Sequence, residues 1–206
     1  MRKSFVVALL AGCAFGAPTF AQDRQGYVQL NLGGGFAGVV ELEASSPPDD
    51  IRADADFETG VLASVAAGST SANGFSFEGE MIYFDSKIDT SAFDTFAGFD
   101  LNASVKSYVG MVNGMYAFDA GRFSPYVGAG LGYGISEYEF DDESEDDGGI
   151  AWQLRAGVTV PMSDTLTLDV GYRYLSLPEF EVSEGSDAIS AAGRAHIASI
   201  GARFTF

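Results

Sequence analysis

Along the segment YVQLNLGGGF, which starts at Tyr27, apolar and polar-or-small residues alternate. Val28, Leu30, Leu32, Gly34 and Phe36 form one set, and Tyr27, Gln29, Asn31, Gly33 and Gly35 the other. A period of two marks a β-strand with one apolar face and one polar face. The pattern returns in FETGVLASVAAG from Phe57, FSFEGEMIYF from Phe75, LNASVKSYVGMVNGMYAF from Leu101, PYVGAGLGYGISEY from Pro125, IAWQLRAGVTV from Ile150, LTLDVGYRYL from Leu166 and RAHIASIGARFTF from Arg194. No segment beyond residue 22 carries a helical period over the length of a helix. The sequence predicts an all-β chain of eight strands.

The links between these strands alternate in length. STSANG, DAGR and PMSD are short and rich in turn residues. The other four, Val39 to Asp56, Asp85 to Asp100, Glu139 to Gly149 and Ser176 to Gly193, are long and read as loops. Short turns at one end and long links at the other predict an up-and-down antiparallel barrel.

Which face is apolar then separates a soluble barrel from a transmembrane one. One face carries Val28, Leu30, Val61, Val65, Phe75, Phe77, Met81, Val105, Val109, Met111, Val127, Leu131, Ile135, Trp152, Leu154, Val158, Leu166, Leu168, Val170, Ile200, Phe204 and Phe206. The other carries Gln29, Asn31, Glu58, Ser64, Ser76, Glu78, Glu80, Asn102, Ser104, Lys106, Gly128, Gly130, Gly132, Gln153, Arg155, Thr167, Asp169, Arg173, Ser199 and Arg203. An eight-stranded barrel has room inside for a small core or one small ligand, not for roughly twenty large apolar side chains. The apolar face therefore turns outward to lipid and the polar, glycine-rich face fills the lumen.

Charge sharpens the picture. The inward set holds Glu58, Glu78, Glu80 and Asp169 against Lys106, Arg155, Arg173 and Arg203, the balance that a buried ion-pair network requires. Nearly all of the acidic excess behind the net charge of -18 lies in the four long links, most densely in EFDDESEDDGG from Glu139. Such a chain offers no clustered cations for nucleic-acid phosphates.

The first residues, MRKSFVVALLAGCAFGAPTFAQD, combine two basic residues, a short apolar run and small residues ending at Ala21. Residues 1–21 read as a secretory signal peptide and 22–206 as one barrel domain. A second reading cuts at Leu10-Ala11-Gly12-Cys13, which resembles a lipoprotein lipobox, but only Ser4 to Gly12 would then supply the apolar core. With cleavage after Ala21 the sole cysteine is lost, and disulfide and thiolate chemistry with it.

FSFEGEMIYF, VNGMYAFDAGRFSPYVGAGLGYG, LDVGYRYL and the terminal Phe206 resemble the small eight-stranded outer-membrane β-barrels of Gram-negative bacteria, in particular the opacity-protein-like and Omp25-like surface antigens of the "porin family". The resemblance covers the whole mature chain. It implies an outer-membrane location with surface exposure, contact with lipid and lipopolysaccharide, and an assembly signal for the barrel-assembly machinery at Phe204 and Phe206. It does not imply transport.

Other chemistry is thin. The glycines Gly128, Gly130, Gly132 and Gly134 share one strand face and make room for a neighbouring long side chain such as Arg155. His196, the sole histidine, has the wrong parity for the lumen carboxylates, and Ser199 lies on the opposite face, so no His/Ser pair forms; no enzyme activity and no cofactor are expected. Asp141, Asp142, Glu143, Glu145, Asp146 and Asp147 lack EF-hand spacing; weak divalent-cation binding competes there with simple solvation. Tyr83, Tyr126, Tyr133, Tyr138, Phe140, Trp152, Tyr172, Tyr174 and Phe206 read as interfacial girdles. The functions that remain are a structural surface barrel supporting envelope integrity, an adhesin binding an extracellular ligand or host surface through its loops, and a narrow small-solute channel.

Overall fold

The computed structural model describes residues 24–46, 49–56, 60–88, 103–140, 143–184 and 187–206. The signal peptide, Cys13, Glu58, Asn102, Asp141 and Asp142 lie outside them. The described chain is antiparallel β throughout: β1 (Arg24–Ser46), β2 (Asp49–Asp56), β3 (Val61–Ser71), β4 (Phe75–Ile88), β5 (Ala103–Ala117), β6 (Ser124–Phe140), β7 (Glu143–Pro161), β8 (Leu166–Glu184) and β9 (Asp187–Thr205). From β3 onward each strand pairs with the next, and β1 pairs with β9 from Tyr27↔Thr205 to Ser45↔Ala188, which closes the sheet. Arg24 to Gly34 of β1 pair with β3, and Val39 to Ser46 pair with β2. β2 thus prolongs the stave that β3 begins, and eight staves form the ring.

Three tight turns and both strand termini share one end. At the first turn Gly74 N–H donates to Ser71 O at 3.0 Å, and Gly74 takes φ +86°, a conformation that glycine adopts without steric cost. Phe206 N–H donates to Gly26 O at 3.0 Å, pinning the last residue to β1.

The opposite, open end departs from the expected loops. The acidic segments are largely strand: β6 and β7 pair up to Phe140↔Glu143, β8 and β9 up to Glu184↔Asp187, and β1 and β2 up to Ser46↔Asp49. Hydropathy reports burial, so a strand that continues through an acidic segment is invisible to it. Once two neighbours are in register, each further pair satisfies backbone groups whatever the side chains are.

Two ladders stop early. β7 pairs with β8 only from Pro161↔Thr167 to Trp152↔Ser176, and β3 with β4 only as far as Val61↔Asp85. Among the described residues, the ladders toward the open end therefore run in two groups, β4-β5-β6-β7 and β8-β9-β1-β2. The β7/β8 break coincides with an irregularity between Ser176 and Glu179. There Leu177 and Pro178 are buried, and Pro178 lies over Gly134 of β6. Proline cannot donate to a ladder, and a bulge re-aims its strand, here across the lumen.

The outward face is apolar, with Leu30 55%, Leu131 64% and Ile150 69% exposed. Two outward aromatic rows bound it, one with Phe75, Tyr116 and Phe204 at the turn end and one with Tyr83, Tyr108, Tyr133 and Trp152 further up. Phe75 and Tyr83 are separated along β4 by about 27 Å at roughly 3.4 Å per residue, a length suited to a tilted membrane crossing. Tyr126, expected in a girdle, is instead buried inside.

The lumen has two tiers, where the sequence predicts a uniformly polar one. Polar side chains fill the half nearest the turns. Above them Leu62, Ile82, Phe84, Val105, Val109, Met111, Ala151, Leu175, Leu177, Ala195 and Ile197 form a buried apolar cluster. β5 accordingly runs in the opposite phase to the one expected: Val105, Val109 and Met111 point inward, and Ser104, Lys106, Tyr108 and Val112 do not.

Candidate functional site: the lumen network

Four alternating positions of β4 place Ser76, Glu78, Glu80 and Ile82 inside, so two carboxylates stand one above the other on a single strand. Like charges this close need cations from across the ring. Arg155 on β7 supplies one, its Nη1 2.6 Å from Glu78 Oε1 and 3.6 Å from Glu80 Oε2. Arg173 on β8 supplies the other, its Nη1 2.9 Å from Glu80 Oε1.

Neutral donors complete the shell. Tyr27 donates to Glu78 Oε2 at 2.7 Å, and Ser64 to Glu80 Oε1 at 2.6 Å. Asn113 Nδ2 donates to Glu78 Oε1 at 3.0 Å and to Glu80 Oε2 at 2.9 Å, while Gln153 Nε2 donates to Glu80 Oε2 at 2.8 Å. The Gln153 carbonyl accepts from Arg173 Nη1 at 3.0 Å. A chain of amides leads on: Asn31 Nδ2 to Ser64, Gln29 Nε2 to Asn31 Oδ1, and Arg203 Nε to Gln29 Oε1 at 2.8 Å, with the Arg203 guanidinium 4.1 Å above the Tyr27 ring. Tyr126 donates to Asp169 Oδ1 at 3.1 Å, next to Arg155. Glu78, Glu80 and Asp169 thus face Arg155, Arg173 and Arg203, a neutral set among the described residues.

The structure brings together Glu78, Glu80, Arg155, Asp169, Arg173 and Arg203 of the residues expected in this network. Lys106 is a correction. It lies on the outward face, in register between Asp85 of β4 and Glu137 of β6, so the three form a charged row just above the Tyr83–Tyr108 pair. That is where a strand leaves an apolar belt, and the inverted phase of β5 puts Lys106 there. Tyr27, Asn113 and Tyr126 join the network although the sequence reading does not place them in it. Asn113 shares its parity with Ser107, the polar signal that would have set the β5 phase.

The inward glycines have a different partner from the one expected. A Cβ at Gly130 would collide with the Asn113 side chain and one at Gly128 with Met115; Arg155 is not among their nearest neighbours. His196 faces outward, with Nδ1 2.6 Å from Tyr172 Oη, and Ser199 bonds Gly171 O on the inner side. Phe204 and Phe206 are outward and exposed. Among the described residues no cluster of side chains has metal-ligand geometry, and the side chains of Glu143, Glu145, Asp146 and Asp147 fall outside the description.

Residues 5–206 match the family described as "Outer membrane protein beta-barrel domain". No curated protein matches the chain. Among solved structures, Neisserial surface protein A is 18% identical, with 90% of this chain and 100% of that one aligned and a TM-score of 0.52. OprG from Pseudomonas aeruginosa is 15% identical over 86% and 95% of the two chains, with a TM-score of 0.52. AlkL in DMPC bilayers is 16% identical over 93% and 95%, with a TM-score of 0.53. At these identities the likeness is one of fold.

Proposed function

The chain belongs to the outer membrane protein beta-barrel domain family of Gram-negative outer membranes, and we propose that it is a non-conducting surface barrel supporting envelope integrity. The observation that carries this reading is the filled lumen. Any solute would have to displace both the ion-paired tier around Glu80 and the apolar tier around Ile197, each of them buried. In such barrels the short turns are periplasmic and the long connections extracellular. The acidic strands then stand outside the cell, where divalent cations can bridge them to lipopolysaccharide. Phe204 and Phe206, at the end of the strand that closes the ring, are the proposed signal to the barrel-assembly machinery.

Two measurements test this. Purified protein in planar bilayers is expected to stay silent, and stepwise conductance would overturn the closed-lumen reading. A deletion strain is expected to leak a periplasmic enzyme, more so with chelator, and to be repaired by the wild-type gene. Absence of leakage would move the assignment to an adhesin, a reading that the extracellular strands favour.

A further inference from the structure

The outward face at the turn end carries a polar site that the filled lumen does not use. Arg24 opens β1 opposite Ser71, the last residue of β3; two residues on, Gly26 stands opposite Ser69, and Ser69 opposite Phe77 of β4. On each strand these positions share the parity of the lipid-facing residues Val28, Val65 and Phe75. Arg24, Ser69, Ser71, Phe75 and Phe77 together line a cavity of about 140 Å³. Phe75 belongs to the aromatic row that bounds the apolar belt at this end, so the cavity lies where hydrocarbon gives way to headgroups.

Its chemistry selects an anion. The exposed guanidinium of Arg24 is the only charged group among the lining residues, Ser69 and Ser71 add hydroxyl donors, and Phe75 and Phe77 add an apolar wall. The planar fork of an arginine matches phosphate oxygens better than a point charge does. At about 140 Å³ the cavity is smaller than the roughly 300 Å³ and upward of sites that enclose a whole small ligand, so it takes one group of a larger molecule. Toward the belt the next outward row is Val28, Ala67 and Gly79, in register across β1, β3 and β4. Ala67 and Gly79 rise little from the sheet and leave a shallow track beside Phe77 on which a hydrocarbon chain can lie.

We propose that this cavity is the headgroup site of an anionic glycerophospholipid in the periplasmic leaflet, with Arg24, Ser69 and Ser71 holding the phosphodiester and an acyl chain lying along Ala67 and Gly79. The site goes beyond envelope support and requires only that the turn end face the periplasm, as short turns do in such barrels. A soluble phosphate would use the polar half of the site alone. A phospholipid uses both halves, because the donors adjoin the apolar track.

The test uses full-length protein in nanodiscs of phosphatidylcholine with a minor fraction of phosphatidylglycerol. Native mass spectrometry of the released protein counts the lipids that stay bound, and heat-modifiable gel mobility checks folding of each variant. Wild type is expected to retain phosphatidylglycerol in preference to phosphatidylcholine, and Arg24→Gln to retain it about fivefold more weakly, the worth of one cation at an anionic lipid surface. Ser69→Ala combined with Ser71→Ala should weaken retention as well. Arg122→Gln removes the same charge from an exposed turn at the same end and should change nothing. Equal losses in Arg24→Gln and Arg122→Gln would reduce the effect to general attraction and overturn the site. Release of the lipid by inorganic phosphate would make it a site for free anions and overturn the lipid assignment. No preference for phosphatidylglycerol in wild type would overturn the proposal outright.

Discussion

Arg173 on β8 reaches across the lumen to Glu80 on β4, with 2.9 Å between Nη1 and Oε1 and neither side chain more than 1% exposed. The pair crosses the ring between staves that share no ladder, so it ties opposite walls together. Its net worth against an apolar pair is small, but breaking it on one side leaves a buried charge with a lost partner. Arg173→Ala is therefore expected to lower stability in detergent by about 3–5 kcal/mol. Urea unfolding followed by gel mobility reads this directly. Because, among the described residues, Arg173 engages Glu80 and Gln153 through Nη1 while Nε and Nη2 have no hydrogen-bond partner, Arg173→Lys should recover part of the loss. An unchanged midpoint in Arg173→Ala would show that Glu80 does not depend on it.

Asn113 holds the two carboxylates at a fixed spacing, and Gly130 makes room for it. A methyl group at Gly130 would overlap the Asn113 side chain and crowd Gln153. Gly130→Ala should cost about 1–3 kcal/mol, the penalty for disturbing buried hydrogen bonds to charged groups. Gly34, on the outer face, has nothing within 4 Å of the place a Cβ would occupy, so Gly34→Ala should lie within about 0.5 kcal/mol of wild type. Equal effects of the two changes would contradict the packing described for the lumen.

The inverted phase of β5 makes its own prediction. Val109 is fully buried in the apolar tier, and Lys106 lies in the outward charged row. Val109→Asp would bury an unpaired carboxylate and is expected to abolish folding or reduce stability by several kcal/mol. Lys106→Ala removes one member of a partly exposed charged row and should cost about 1 kcal/mol or less. The reverse order of severity would restore the phase suggested by the sequence.

How far the sequence reaches follows from the same strand. On seven staves one face is clearly more polar, and the alternation of Glu78, Glu80 against Phe77, Met81, or Arg155 against Leu154, fixes direction and closure. β5 has apolar residues on both faces, because its inward positions Val105, Val109 and Met111 enter the apolar tier while Tyr108 and Val112 meet lipid. Period two then gives a strand without a phase, and Lys106 and Asn113, the polar residues of opposite parity, compete to set it. The second blind spot is the acidic extension of β6 through β9, where charge reads as loop although the backbone stays paired. The Arg173–Glu80 contact itself was legible only as a balance of charges, since pairing across a ring depends on tilt and register.

The register of the β6/β7 extension offers a final test. Glu137 stands directly opposite Asp146, and Ser136 opposite Asp147. Like charges facing across an antiparallel pair are destabilising by roughly 0.2–1 kcal/mol relative to a neutral pair. If these residues lay in an irregular loop, removing one charge would change little. In the paired strands described, Asp146→Asn should raise stability by a few tenths of a kcal/mol at low salt, and the gain should shrink as salt screens the repulsion within a Debye length of about 10 Å at 0.1 M. Hydrogen exchange gives a second readout, with slower exchange expected at the amides flanking Asp146 in the variant. Unchanged exchange and an unchanged midpoint at low salt would mean that the two strands do not hold this register beyond the apolar belt.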